Sequence, residues 1–326
     1  MPKVSVCIPA YNSAKYLGHA IDSVLNQDYG DYELVVCDNA STDGTTELCR
    51  RYECSKIRYQ RFEEHISQAG SFNRCLKEAR GEFITILHAD DYLLPGFLGD
   101  RVDRLLGRPE IGFVFGAVEV VDESGRVLSL NRPWLEDKAF APKELLWSLL
   151  CGCIVSPPSL MVRRAIVEKA GPFRTDLTWG HDWEWTLRLG ENAGALYTSR
   201  RLAAYRMHGE SGTAEILRSA ENGDQELRIL KDTLDRLCAA DRRFRKMRRS
   251  AYRALSNRHM YFADAALLDG LKAAARINLR YAALSDCRIV TRPTFWAMLM
   301  GSAGSTRWYT RYRTLRNSLA AAETKV

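Results

Sequence analysis

Ile84-Thr85-Ile86-Leu87-His88-Ala89-Asp90-Asp91-Tyr92-Leu93 is an apolar strand pattern that ends in two adjacent carboxylates. Neighbouring acids repel each other and are poorly solvated beside a hydrophobic strand, so a chain that places them there offers them a cation. Upstream, the same arrangement of strand, loop and helix recurs. Val4 to Ile8 is a β-rich run closed by Pro9, and Tyr16, Leu17, Ala20, Ile21, Val24 and Leu25 follow at helical spacing. Glu33 to Cys37 predicts the next strand, Ser41-Thr42-Asp43-Gly44 a turn that starts a helix over 45–52, Ile57 to Gln60 a third strand, and Ser71 to Ala79 a helix. Phe83 to Leu87 is then the fourth strand.

Such alternation implies an α/β fold with a mostly parallel sheet and helices on both faces. Ligands gather at the carboxyl ends of strands in these sheets, and Asp38 and the Asp90-Asp91 pair both fall at such ends. Gly112 to Val121 predicts a further strand, followed by a loop rich in Pro, Trp and charge through Pro142. Ser159 to Val162, a helix over 164–169, and closing strands at Leu196-Tyr197 and Ala203 to His208 complete the body. From Ala214 onward Leu217, Leu227, Leu230, Leu234 and Leu237 point to helices, and Arg242 to Arg249 is densely cationic.

The 326 residues suffice for a full core. Residues 1–212 carry 25 Lys and Arg against 29 Asp and Glu, whereas 213–326 carry 22 against 11. A mildly acidic body over 1–212 is thus joined to a helical basic C-terminal extension over 213–326. The nine cysteines are scattered, which predicts reduced thiols, and Cys151-Gly-Cys153 lacks zinc-site spacing. No leader pattern opens the chain, and the longest late apolar run, Phe295 to Met300, is far short of the roughly 20 residues that span a bilayer. These readings predict a cytoplasmic protein.

Four segments in order carry a resemblance: Val6-Cys7-Ile8-Pro9-Ala10-Tyr11-Asn12, Val36-Cys37-Asp38-Asn39-Ala40-Ser41-Thr42-Asp43-Gly44-Thr45, Leu87-His88-Ala89-Asp90-Asp91 and Gly180-His181-Asp182. Together they resemble the family 2 nucleotide-sugar glycosyltransferases, over roughly residues 3–212. The resemblance implies a GT-A, Rossmann-like single domain and an inverting transfer from a nucleotide-sugar donor, with UDP as the nucleotide. It implies that Pro9, Ala10, Tyr11, Asn12 and Asp38 hold the nucleoside. It also implies that His88, Ala89 and Asp90 reach its ribose and diphosphate. Here His88 stands where many relatives carry the first aspartate of a DXD-type motif.

On the same resemblance Asp90 and Asp91, with His208, would hold Mn²⁺ or Mg²⁺, because hard oxygen ligands on a diphosphate suit those ions. Asp182 would be the base that takes the acceptor hydroxyl's proton, with Glu184 in reserve. Trp179, Trp183 and Trp185 could stack on sugar faces, Arg206 could meet phosphate, and Asn73, after Phe72 in place of a usual arginine, could help build the site. The Gly209 and Gly212 turn would let a lid fold over the donor.

The acceptor expected from the resemblance is a saccharide or lipid-linked hydroxyl in cell-surface polysaccharide synthesis. The basic extension fits an anionic membrane at the inner face of the plasma membrane, or a homodimer contact. It lacks interleaved aromatics or a reader motif, which argues against nucleic acid. Two other readings remain open at this level. One is a non-catalytic nucleotide-sugar-binding relative; the other is a nucleotidyltransferase, for which the early Gly-rich basic loop is missing.

Overall fold

The computed structural model describes residues 1–52, 55–209, 220, 222–304, 306 and 308–314. They form two compact units, Met1–His208 and Gly209–Val326. The first contains β1 (Val4–Ala10), α1 (Ala14–Leu25), β2 (Tyr32–Asp38), α2 (Thr45–Arg50), β3 (Ile57–Arg61), α3 (Gln68–Glu78) and β4 (Phe83–Ile86). It continues with β5 (Tyr92–Leu93), α4 (Phe97–Leu105), β6 (Ile111–Val121), β7 (Val127–Asn131), β8 (Lys138–Phe140) and α5 (Leu146–Leu149). A 3-10 turn (Pro157–Ser159), β9 (Met161–Arg163), α6 (Arg164–Ala170), α7 (His181–Asn192) and β10 (Gly194–Arg206) close it.

The ten strands make one sheet in the order β3-β2-β1-β4-β9-β6-β10-β5, with β7 on β6 and β8 on β10. Strands β1, β2, β3, β4, β6 and β10 run the same way, and β5, β7, β8 and β9 oppose them. The sheet is therefore mostly parallel, as expected. Strand β1 is apolar on both faces because helices cover both sides of a parallel sheet, and Val4, Val6, Cys7 and Ile8 have no exposure.

Pro9 does not end β1, which continues through Ala10 in register with Asp38. A proline removes a ladder donor, so it needs a position with no acceptor opposite. Strand β4 pairs β1 only from Val4 to Cys7, and the last bond on that side runs from Leu87 N–H to Cys7 O. Pro9 is the next residue facing that side. Its missing N–H costs nothing, and the gap opened there holds the turn 87–91.

Two expectations are corrected. The segment 122–142 is not a plain loop: β7 pairs with β6, and β8 with β10, at the sheet margin. The two closing strands are one, β10, broken by an irregularity between Thr198 and Ala203. Ser199, Arg200 and Arg201 interrupt the apolar pattern because their partners lie far off in sequence, Asp137 for Ser199 N–H and Asp100 for Arg200.

Asp100 also binds the wholly buried Arg101 at 2.6 Å and Arg104 at 3.0 Å. Arg101 donates in turn to Ser159 O, and a Cβ on Gly116 of β6 would lie 2.6 Å from its guanidinium. Burial pulls Arg101 down to about 10 even with Asp100 beside it. One carboxylate thus fixes α4 against the middle of the sheet.

The second unit is helical: α8 (Gly223–Ala240), α9 (Arg248–Leu268), α10 (Lys272–Ser285) and α11 (Pro293–Ala303). Small residues such as Ala263, Ala266, Ala275 and Ala282 let its helices approach closely around Leu267, Leu279 and Tyr309. The cationic run 242–249 forms a 3-10 turn (Arg242–Lys246) and the start of α9. Leu217 and Gly212 lie outside the described residues. All cysteines among the described residues are free thiols, with Cys7, Cys37, Cys49 and Cys75 buried. No helix there is long and apolar enough to cross a membrane.

Asp100→Ala leaves Arg101 as a buried charge without its counter-ion. The expected loss is about 3–5 kcal/mol of stability, read as a lower urea midpoint with an unchanged slope.

Candidate functional site

Past Ile86 the chain leaves the sheet and turns back on itself, with Asp91 N–H donating to His88 O at 3.2 Å. His88, Asp90 and Asp91 each offer a ligand atom, and these atoms lie within 4.8 Å of one another. His208, just beyond β10, completes the group with Nε2 at 3.0 Å from Asp90 Oδ2. Asp91 is fully buried and accepts Arg206 N–H on Oδ1 at 2.8 Å. Its Oδ2 has no hydrogen bond, only His88 Nδ1 at 3.8 Å.

Burial, and then the charge of Asp90, push the Asp91 carboxyl well up. Burial also acts upward on Asp90, but the His208 hydrogen bond and His88 outweigh it and hold that carboxyl below its ordinary range. A buried carboxylate oxygen without a donor, beside a second carboxylate and two imidazoles, is a fitting donor set for a divalent cation, whose charge would reverse the upward push on Asp91.

Arg206, expected as a phosphate contact, is not available for one. Its side chain is buried and donates to Asp90 O, Asp122 O and Glu123 O, with His19 Nδ1 3.0 Å from Nη2. It lies over Tyr16 and Tyr92. It ties the end of β10 to the acidic turn.

On the other flank, the loop after β1 is laced to the loop after β2. Asn12 N–H donates to Ser41 Oγ, Ser13 N–H to Thr45 Oγ1, and Thr42 N–H to Asn12 Oδ1. Asp43 accepts from Ala14 N–H at the start of α1. Asn12 and Ala40 sit at φ 46° and 64°. This left-handed backbone costs a residue with a Cβ about 1–2 kcal/mol. The lacing holds both residues there. Tyr11 is 47% exposed, its ring 4.0 Å from that of His65, and Asn39 anchors the His65–Ile66 segment by accepting Ile66 N–H and donating to Ile66 O.

Asp38 stands at the strand end as expected but has no exposure. Its Oδ2 accepts from Tyr59, Thr46 and Arg61, and Oδ1 accepts Ser41 N–H. Its carboxylate therefore holds the turn beneath the loop.

Helix α7 begins at His181 after Gly180, whose φ of 70° makes the sharp entry. Asp182 in its first turn is half-buried, and its Oδ1 accepts Trp183 N–H. Asp182 and His88 line one cavity of about 30 Å³ with Phe72, Phe173 and Trp185, enough for about two waters. His88 of the acidic turn and the α7 carboxylate thus share a cavity, although they lie 94 positions apart in the chain.

Three other expectations on α7 are corrected. Glu184 is buried and holds Arg188 by both oxygens, and Arg188 also reaches Ala170 O and Pro172 O. Trp183 is core, its indole N–H on Leu149 O, and Trp185 stacks on Phe173 and donates to Gly171 O. Trp179 is half-buried. Asn73 is a staple: its amide donates to Phe173 O and accepts Phe173 N–H, fixing the cavity wall. Phe72 stacks on His88 at 5.3 Å, so the aromatic replaces a polar contact with a packing one. Sequence reasoning missed Tyr59, Arg61 and His65, whose partners Asp38 and Tyr11 lie more than twenty residues away.

Burial works to raise the Asp38 carboxyl, but the hydrogen bonds from Tyr59, Ser41 and Thr46 outweigh it and hold it below its ordinary range. A carboxyl depressed on folding contributes stability above its unfolded value near about 4 and loses it as the pH falls through the folded value. Asp38→Asn is expected to cost about 1–3 kcal/mol at neutral pH. Melting scans should show the gap to the parent chain closing below about pH 4.

Residues 5–170 match the family described as Glycosyl transferase family 2, a span that includes the acidic turn and ends before Asp182 and His208. An uncharacterized protein of Mycobacterium tuberculosis is 30% identical over 240 residues, 70% of this chain and 75% of its own. An uncharacterized glycosyltransferase of Rickettsia typhi is 27% identical over 229 residues, 68% of this chain and 69% of its own. The crystal structure of S. aureus TarS in complex with UDP-GlcNAc superposes with a TM-score of 0.57 at 20% identity, covering 89% of this chain and 92% of that one. At that identity the likeness speaks for the fold. With more than half of its residues matched, the chain belongs to glycosyl transferase family 2.

Proposed function

We propose that this chain is an inverting glycosyltransferase that moves a sugar from a UDP-sugar to a hydroxyl of a saccharide or lipid-linked acceptor, in cell-surface polysaccharide synthesis at the inner face of the plasma membrane. The observation that carries the reading is the cavity shared by His88 and Asp182, which sets a half-buried carboxylate beside the acidic turn. TarS, of similar fold, binds UDP-GlcNAc, which supports a UDP-sugar here.

In this reading Pro9, Ala10, Tyr11 and Asn12 form the nucleoside side, with Asp38 beneath them. The Tyr11 and His65 rings offer a flat base a stacking surface. His88, Ala89 and Asp90 meet ribose and diphosphate. Asp90, Asp91 and His208 hold Mn²⁺ or Mg²⁺, whose positive charge, when bound, offsets the charge on the departing diphosphate. Asp182 accepts the proton of the acceptor hydroxyl as its oxygen attacks the anomeric carbon from the face opposite the diphosphate, which inverts that centre. Phe72, Phe173 and Trp185 give the cavity beside Asp182 an apolar wall. Arg206 keeps Asp91 aimed by holding its Oδ1.

Asp182→Asn should bind UDP-sugar as the parent does while turnover falls about 10²- to 10⁴-fold; unchanged UDP release would remove Asp182 from the mechanism. In a thermal-shift panel of nucleotide sugars, stabilisation is expected with Mn²⁺ or Mg²⁺, and it should be lost on chelation and weakened in His208→Ala. A shift that ignores the cation would remove the metal from the reading. No shift with any donor would overturn the donor class itself.

A further inference from the structure

From Lys272 to Thr314 the chain carries eight Lys and Arg against one acid, Asp286. That acid is already engaged, by Arg288 at 2.8 Å and Arg253 at 3.6 Å. The preceding stretch of the second unit differs. There Glu226, Asp235 and Asp241 answer Arg258, Arg248 and Arg243. The segment holding α10 and α11 thus has a net charge of +7, with one of its arginines, Arg313, facing Asp264 of α9, and it adds to the cationic run 242–249.

Helix α11 has no charged residue. It buries Phe295, Ala297 and Met298 and leaves Trp296 and Met300, one turn apart, 52% and 55% exposed. Trp296 donates its indole N–H to Val290 O, which draws the exposed Val290 into the same patch. Cations flank the helix at both ends. Arg292 precedes it, while Arg276 and Lys272 reach Ser302 O and Gly304 O at its end. Large apolar side chains in the open, framed by Lys and Arg with hardly an acid, are the pattern of a helix that lies in a membrane interface rather than crossing one.

We propose that α11 and its flanking cations form a docking surface for an anionic lipid bilayer. Trp296, Met300 and Val290 enter the headgroup region, and Arg276, Arg292 and Lys272 meet lipid phosphates. A second copy of the chain is a poorer occupant, because an isologous contact would bring two segments of net charge +7 together. A nucleic acid would meet the cations but leave Met300 and Val290 in water. The surface is part of the second unit and does not depend on the transfer chemistry proposed above.

The test is co-sedimentation of the full chain with vesicles. Capture by phosphatidylcholine vesicles containing phosphatidylglycerol is expected, weakening with salt, with little capture by phosphatidylcholine alone. Trp296→Glu with Met300→Glu should reduce capture at least about tenfold while circular dichroism stays as in the parent, since α11 keeps its buried face of Phe295, Ala297 and Met298. Equal capture of variant and parent would overturn the proposal, as would the absence of capture by anionic vesicles. A lipid-free dimer that the double variant converts to monomer would overturn it in favour of a second copy. Because the readout is vesicle capture, it stands or falls separately from donor binding.

Discussion

The repulsion between Asp90 and Asp91 is the constraint around which the first unit is arranged. Two unit charges about 4 Å apart at an effective dielectric of about 20 cost about 4 kcal/mol, and burial of Asp91 adds to that. The chain relieves only part of it. Arg206 spends its backbone N–H on Asp91 and its guanidinium on the carbonyls of residues 90, 122 and 123, so it stiffens the turn without neutralising Asp91 Oδ2. His208 answers Asp90. What is left over is a buried oxygen with no hydrogen bond, only the His88 ring at 3.8 Å, which is the feature a binding site needs and a merely structural turn does not.

The sheet makes that geometry possible. The departure of β4 from β1 after Cys7 and the tolerance for Pro9 are two sides of one event: the gap that admits a proline also admits the acidic turn. The opposite loop is held as firmly, by Asp38 beneath and by the exchange between Asn12, Ser41, Thr42 and Thr45. Both rims are therefore tied down by hydrogen bonds within the protein, and such preorganisation lowers the ordering cost of binding.

Much of this was legible in the sequence because the signals were local. Strand β1, the turn after β2 and the run into Asp90 each announce themselves within about ten residues, and their order places Asp38 and Asp90 at strand ends. The misread residues are ones whose polar groups are taken up by packing: remote partners for Arg206 and Trp183, and for Glu184 an Arg188 on the same helix that is itself tied to residues 170 and 172. Arg206 looks like a free cation until residues 90 and 122 come beside it. Glu184 looks like a second acid until α7 brings Arg188 one turn below, toward the carbonyls of 170 and 172. Trp183 reads as a surface aromatic until Leu149 O takes its N–H. Local pattern fixes an element's type, whereas packing decides which of its polar groups remain for chemistry.

The substitution of His88 for the acid many relatives carry has a consequence that follows from the same arithmetic. A third carboxylate beside Asp90 and the buried Asp91 would add further like-charge repulsion. With imidazole at 88 the two acids can be matched by one divalent ion. Phe72 takes the space beside the ring and stacks on it, an arrangement a carboxylate could not share. On the proposed reading the donor set becomes two carboxylates with nearby imidazoles, and nitrogen ligands shift preference from Mg²⁺ toward Mn²⁺. The departure at 88 is then compatible with a working site, because the stack on Phe72, the contact with Asp91 and the cavity shared with Asp182 all converge on the same ring.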